Sequence, residues 1–207
     1  MNRHPVLFVS HGAPDVLLDP GATVRLWQDL GARLPRPRAI LVVSAHWAAR
    51  EPTVSTAGTP ETIHDFGGFP PALYEMAYPS PGAPALAGRV RELITGAGLP
   101  CAETPDRGLD HGAWIPLKAM YPAADIPVVQ LAIQPFAGPD WHRRLGTALR
   151  PLRDEGVLIL ASGAVTHNFG WLTWGRNGQP VPQAAAFADW LGEALARDDR
   201  PALVDRS

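Results

Sequence analysis

Cysteine is nearly absent from this chain. Cys101 is the only one in 207 residues, so no internal disulfide can form, and zinc sites built on two or more thiolates of one chain are excluded. Long apolar runs are missing as well: no stretch approaches the roughly 18 residues that cross a bilayer. The apolar stretch Pro5–Val9 near the N-terminus has no long hydrophobic segment or small-residue cleavage site behind it, and reads as a strand, not a signal. Lysine is reduced to Lys118; arginine supplies the other basic residues without clustering, and the formal net charge is −2. Such a charge pattern excludes a nucleic-acid footprint. No Gly-x-Ser-x-Gly elbow, phosphate loop or Gly-x-Gly-x-x-Gly fingerprint is present, so serine-hydrolase, phosphate and nicotinamide sites lack their signatures. These absences set the expectation of a cytoplasmic protein, with no membrane or nucleic-acid partner, whose length fits one large domain with its own core. Oligomeric state is not set by the sequence.

Proline and glycine, by contrast, are plentiful, at 23 and 20 residues. They separate periodic apolar segments and form no low-complexity block, so they read as turns. Four short runs rich in Val, Ile and Leu read as buried strands: Val6–Val9, Ala39–Val43, Val128–Ile133 and Val157–Leu160. Helical spacing covers Ala22–Leu34, Pro84–Ala97, the Trp141–Leu152 region, where Pro151 unsettles the last turn, and Gln183–Arg197. Alternation of strands with helices of this length predicts an α/β fold: a mainly parallel central sheet with helices on both faces. Residues 51–81, rich in proline and weak in strand pattern, break the rhythm and read as an excursion over one end of the sheet.

Open α/β sheets hold their ligands outside the carboxyl ends of the strands. His11 follows the first strand by two residues, His46 follows the second by three, and His167 lies in the segment after the last. Seven histidines scattered at random put fewer than about one at four strand ends, so three is an excess. Imidazole is neutral at physiological pH, binds Fe, Zn, Cu or Ni through one nitrogen and is oriented through the other. Each histidine alone reads as a satisfied core or surface residue; together they predict a site for one divalent metal ion. His111 is a fourth candidate. Either Asp110 orients its ring as part of an acid/base pair, or Asp110 simply caps a helix running through Leu117. His64 reads as a pocket wall, and His4 and His142 as surface residues. Ser10, Ser44 and Ser162 read as turn and supporting groups, since none has a defined base.

Five segments, in order, carry a resemblance: Ser10-His11-Gly12-Ala13-Pro14, Ser44-Ala45-His46-Trp47, His64-Asp65-Phe66-Gly67-Gly68-Phe69-Pro70, Asp110-His111-Gly112-Ala113-Trp114-Ile115-Pro116-Leu117 and Ser162-Gly163-Ala164-Val165-Thr166-His167-Asn168. Together they resemble the class III extradiol ring-cleavage dioxygenases, in the branch similar to DOPA 4,5-dioxygenase. The resemblance implies a non-heme metal enzyme that cleaves a catechol ring with O2, with Fe(II) expected for catalysis and Zn(II) able to occupy the same site. It makes His11 and His46 metal ligands, His111 a substrate-contacting or proton-handling residue, and His167 either a ligand or an acid/base group. It also implies a further ligand in a C-terminal Glu-His motif, and no histidine follows His167 in this sequence. The expectation is therefore a single catalytic domain over 1–207 that lacks its C-terminal strand and last ligand, with Gln183–Ser207 a helix and linker, which puts the activity of this chain in question. The competing readings are a zinc-dependent hydrolase and a non-catalytic metal or small-molecule binding domain.

Overall fold

The computed structural model describes residues 3–171 and 180–204; the last three residues of the expected C-terminal linker lie outside them. In chain order the elements are β1 (Val6–Ser10), α1 (Ala22–Arg33), β2 (Ala39–Ala48), β3 (Thr53–Ser55), α2 (Pro71–Tyr74), α3 (Pro84–Gly96), β4 (Ala102–Thr104), α4 (His111–Met120), β5 (Val128–Ile133), α5 (Pro139–Leu149), β6 (Val157–Gly163), α6 (Pro182–Ala196) and α7 (Arg200–Val204). The strands form one sheet in the order β1-β6-β2-β5-β3-β4. The first four in that order run parallel, β3 is antiparallel to β5, and β4 is parallel to β3.

The β1-α1-β2 and β5-α5-β6 connections each pass one intervening strand, in opposite directions across the sheet. Right-handed crossovers that run in opposite directions place their helices on opposite faces. One face is covered by α1 and α4, with Val24, Trp27, Trp114 and Leu117 packed over Ile40, Val42, Leu158 and Leu160. The other is covered by α3 and α5, with Leu86, Val90, Ile94, Leu145 and Leu149 over Ala39, Leu41, Leu131, Val157 and Ile159. Side chains alternate faces along β2 and β6 with the period of two that strand geometry requires. Helices α1 and α4 lie so close that a Cβ on Gly31 would stand 2.1 Å from the Met120 carbonyl oxygen, so only glycine fits there.

The expected strands and helices are present, with ends that move for physical reasons. Pro151 has no amide hydrogen to continue a helix, and α5 stops at Leu149 and tightens into a 3-10 turn over Arg150–Arg153. Strand β2 runs five residues beyond Val43, with a shift in its pairing to β5 between Val43 and Ala48. His4, expected at the surface, is buried: its peptide N–H donates to the Arg153 carbonyl at 3.0 Å and its own carbonyl accepts from Arg153 Nε at 2.7 Å, which pins the segment ahead of β1. His142 is half-buried on α5, with Nδ1 3.1 Å from the Gly138 carbonyl. Among the described residues no helix is long and apolar enough to cross a membrane.

Candidate metal centre

Strands β1, β6 and β2 end side by side, and the loops that leave them build the site. His11 stands just beyond β1; its peptide N–H donates to the Gly163 carbonyl at 3.0 Å, extending the ladder with β6 by one rung. Its ring is fixed from behind by Ser162 of β6, whose Oγ lies 2.9 Å from Nδ1. The sequence offered no base for any serine, and this pairing supplies one. Both residues are buried, however, and His11 Nε2 faces His46, so Ser162 sits behind the ring as an orienting group. His46 rides on the irregular end of β2. Such irregularities re-aim side chains that a regular pleat would alternate, and here Nε2 of His46 reaches 2.9 Å from Nε2 of His11.

His111 enters from the start of α4. Asp110 caps that helix, accepting from the Ala113 N–H, so the capping reading is the one the structure bears out. The idea that Asp110 orients the His111 ring is overturned. Its buried carboxylate is already occupied: Oδ1 accepts from Ser44 Oγ at 2.6 Å, and Oδ2 from Arg107 Nη2 at 2.7 Å and from Gln130 Nε2. Ser44 Oγ in turn accepts the His46 N–H at 3.2 Å, so Asp110 braces the backbone of His46. Gly112 permits this approach, since a Cβ there would lie 2.5 Å from Ser44 Oγ and 3.0 Å from His46 Cδ2.

The residue that does hold the His111 ring is Asp65, in the excursion between β3 and α2. Its Oδ1 lies 2.9 Å from Nδ1 of His111 and also accepts the His111 peptide N–H at 2.9 Å. Its Oδ2 is 3.9 Å from Nδ1 of His46. Asp65 belongs to one of the segments singled out in the sequence, where His64 drew attention instead. His64 turns away, with Nε2 2.9 Å from the Met76 carbonyl and its ring edge-on to Phe66 and Trp114. The wall expected from this loop is supplied by Phe66 and Phe69.

His11, His46 and His111 each offer a ligand atom, all within 4.8 Å of one another. His167, from the loop after β6, lines the same cavity and acts electrostatically on both His11 and His46, but stands outside that trio. Burial, reinforced by the neighbouring rings of His46 and His111, lowers the pKa of His11 to about 4. Burial and His111 lower that of His46. Burial alone would raise the Asp65 carboxyl, but the hydrogen bonds from His111 outweigh it and hold it at about 2. At neutral pH His11 and His46 thus present neutral imidazoles, with one ionised carboxylate, Asp65, behind the cluster. An all-nitrogen donor set without thiolate suits a borderline divalent metal, and the residues fit one ion. The cavity in front measures about 620 Å³ and is otherwise walled mainly by apolar groups, Pro14, Phe66, Phe69 and Trp171 among them, with Ser10, Thr166 and Asn168 as polar exceptions, a size that suits a small organic ligand.

Residues 21–201 match the family model described as the catalytic LigB subunit of aromatic ring-opening dioxygenase. This chain belongs to that family. It is similar to the 4,5-DOPA dioxygenase extradiol of Escherichia coli K12, at 48% identity over 192 residues, covering 91% of this chain and 69% of that one. It is also similar to the 4,5-DOPA dioxygenase extradiol of Beta vulgaris, at 43% identity over 204 residues, covering 94% and 74%. The crystal structure of an uncharacterized Escherichia coli K12 protein superposes with a TM-score of 0.80 at 38% identity, over 97% of this chain and 78% of that one. The family expected from the five ordered segments is the one found, as is the α/β fold with helices on both faces expected from the alternation of strands and helices. The protein is a ring-cleaving dioxygenase of the extradiol type, an enzyme that acts on a small aromatic molecule with O2.

Proposed function

We propose that this dioxygenase cleaves the ring of a catechol of the DOPA kind next to its two hydroxyls, using one Fe(II) held by His11 and His46. The observation that carries the reading is the convergence of three imidazoles on one point at the mouth of a mainly apolar cavity. The names of the relatives support the catechol class. When bound, Fe(II) supplies open positions for a catechol and O2 together with the redox capacity that Zn(II) lacks.

The chain's own part is to seat, dry and deprotonate the substrate. Phe66, Phe69 and Trp171 wall the cavity, and flat apolar faces suit an aromatic ring while keeping water out. His111, backed by Asp65, takes a catechol proton, which calls for a neutral imidazole within reach of the hydroxyl. His167, on the wall of the same cavity, is given the remaining place at the metal. The closeness of His111 to His11 and His46 favours the converse assignment of these two residues, and metal content separates the pair. His111→Ala is expected to keep the metal and lose roughly 10²–10⁴-fold in rate. Loss of the metal in His111→Ala, with His167→Ala retaining both metal and rate, would reverse the assignment.

The test of the function itself is anaerobic loading with Fe(II) followed by O2 consumption with a panel of catechols. The Fe(II) form is expected to take up O2 in step with catechol loss, and the Zn(II) form to take up none. Equal uptake by the two forms would refute the proposal.

A further inference from the structure

We infer that Asp65 is a positioning residue whose carboxylate fixes His111 as the Nδ1–H tautomer, leaving the lone pair on Nε2. Ring protons are not located by heavy-atom positions, and the assignment follows from the partners. Asp65 Oδ1 lies 2.9 Å from the peptide nitrogen of His111, a group that can only donate, so this oxygen is an acceptor. The same oxygen lies 2.9 Å from Nδ1 of the ring. Two acceptors do not rest at that distance, so one of this second pair must carry a proton. The carboxyl is poorly placed to carry it. It lies against the first turn of α4, where the helix dipole favours negative charge, and the oxygen in question already accepts the His111 peptide N–H. The proton is therefore on Nδ1, so in the neutral ring the lone pair is on Nε2.

Satisfying the helix start does not by itself account for this carboxylate: Asp110 is the N-cap residue through Ala113, and accepting the His111 peptide N–H does not require the contact with the ring. Nor does Asp65 serve His111 alone: its other oxygen approaches Nδ1 of His46, and the two rings stand with centroids 3.9 Å apart. One carboxylate from the excursion thus faces the rear nitrogens of two of the three clustered imidazoles. A histidine backed in this way is locked in tautomer and orientation. Without Asp65 the ring is free to take the Nε2–H form, which offers a proton where a lone pair is needed. The tautomer does not depend on the role of His111; the kinetic consequence rests on the proton-handling role proposed above.

The experiment is long-range proton–nitrogen NMR of the ¹⁵N-labelled, metal-free protein near neutral pH, on wild type, Asp65→Ala and Asp65→Asn. His111 is expected as Nδ1–H in wild type and as Nε2–H in Asp65→Ala. Asp65→Asn, whose amide oxygen can stand where Oδ1 was, is expected to restore Nδ1–H. In O2-uptake assays of the Fe(II)-loaded proteins, Asp65→Ala is expected to lose a large part of the roughly 10²–10⁴-fold that a general base contributes to kcat with KM for the catechol little changed, and Asp65→Asn to recover most of it. Wild-type His111 found as Nε2–H, or Nδ1–H persisting in Asp65→Ala, would overturn the inference. A wild type that shows Nδ1–H but consumes no O2 would sink the proposed function and leave the tautomer standing.

Discussion

At the scale of single residues, the metal centre divides into groups visible in the sequence and groups that only folding brings near. His11 and His46 were visible because each follows an apolar run by two or three positions, where strands of an α/β sheet open toward ligands. Asp65 was not, because its partner His111 lies 46 positions away and no local pattern encodes that pairing. For the same reason adjacency to His111 does not make Asp110 its ring partner: neighbours in sequence at a helix start diverge, one capping and one facing the cavity. The first prediction concerns His11 and His46 as the two proposed ligands. His11→Ala and His46→Ala should each abolish stoichiometric metal binding while leaving the circular dichroism spectrum intact, since the centre lies at the strand ends and not within the two cores. Unchanged metal content in both variants would remove His11 and His46 from the centre.

Elements were legible in proportion to their burial pattern. The four central strands have continuous apolar runs because both faces are covered, and they were read from sequence. Strands β3 and β4 have three residues each and lie at the far edge of the sheet, too short to show alternation. Helix α4 was hard to see for the opposite reason. It is buried along almost its whole length and contains Pro116, so it shows no amphipathic stripe. That burial lets its first turn reach β2. Gly112→Ala would force a methyl group to 2.5 Å from Ser44 Oγ and 3.0 Å from the His46 ring. Either α4 or the end of β2 must yield, at a cost of about 1–3 kcal/mol for overpacking. The expected outcome is a lowered denaturation midpoint together with weakened metal affinity, because the displaced atoms belong to His46 and its support. Loss of stability with metal affinity unchanged would show that β2 is not the element that moves.

For the molecule as a whole, the parallel sheet serves to bring distant segments to one edge, and the buried Asp110 joins them. Its carboxylate ties β2 through Ser44, β5 through Gln130 and the start of α4 through Ala113, and pairs with Arg107, whose guanidinium also lies 5.1 Å over the Trp47 ring. A carboxylate with four donors in the interior is supported only while all of them face it. Asp110→Asn keeps the shape but removes the charge that Arg107 faces and turns an amide group toward existing donors. Breaking a buried pair in this way costs about 3–5 kcal/mol; the lower end applies, because Arg107 retains some exposure and its contact with Trp47. Urea denaturation of Asp110→Asn is thus expected to show a loss of about 3 kcal/mol, larger than that of His11→Ala, whose ring lies at the cavity and can be replaced by water. A wild-type midpoint for Asp110→Asn, or a larger loss for His11→Ala, would mean that the three elements are held in register by packing alone and that this carboxylate is not what joins them.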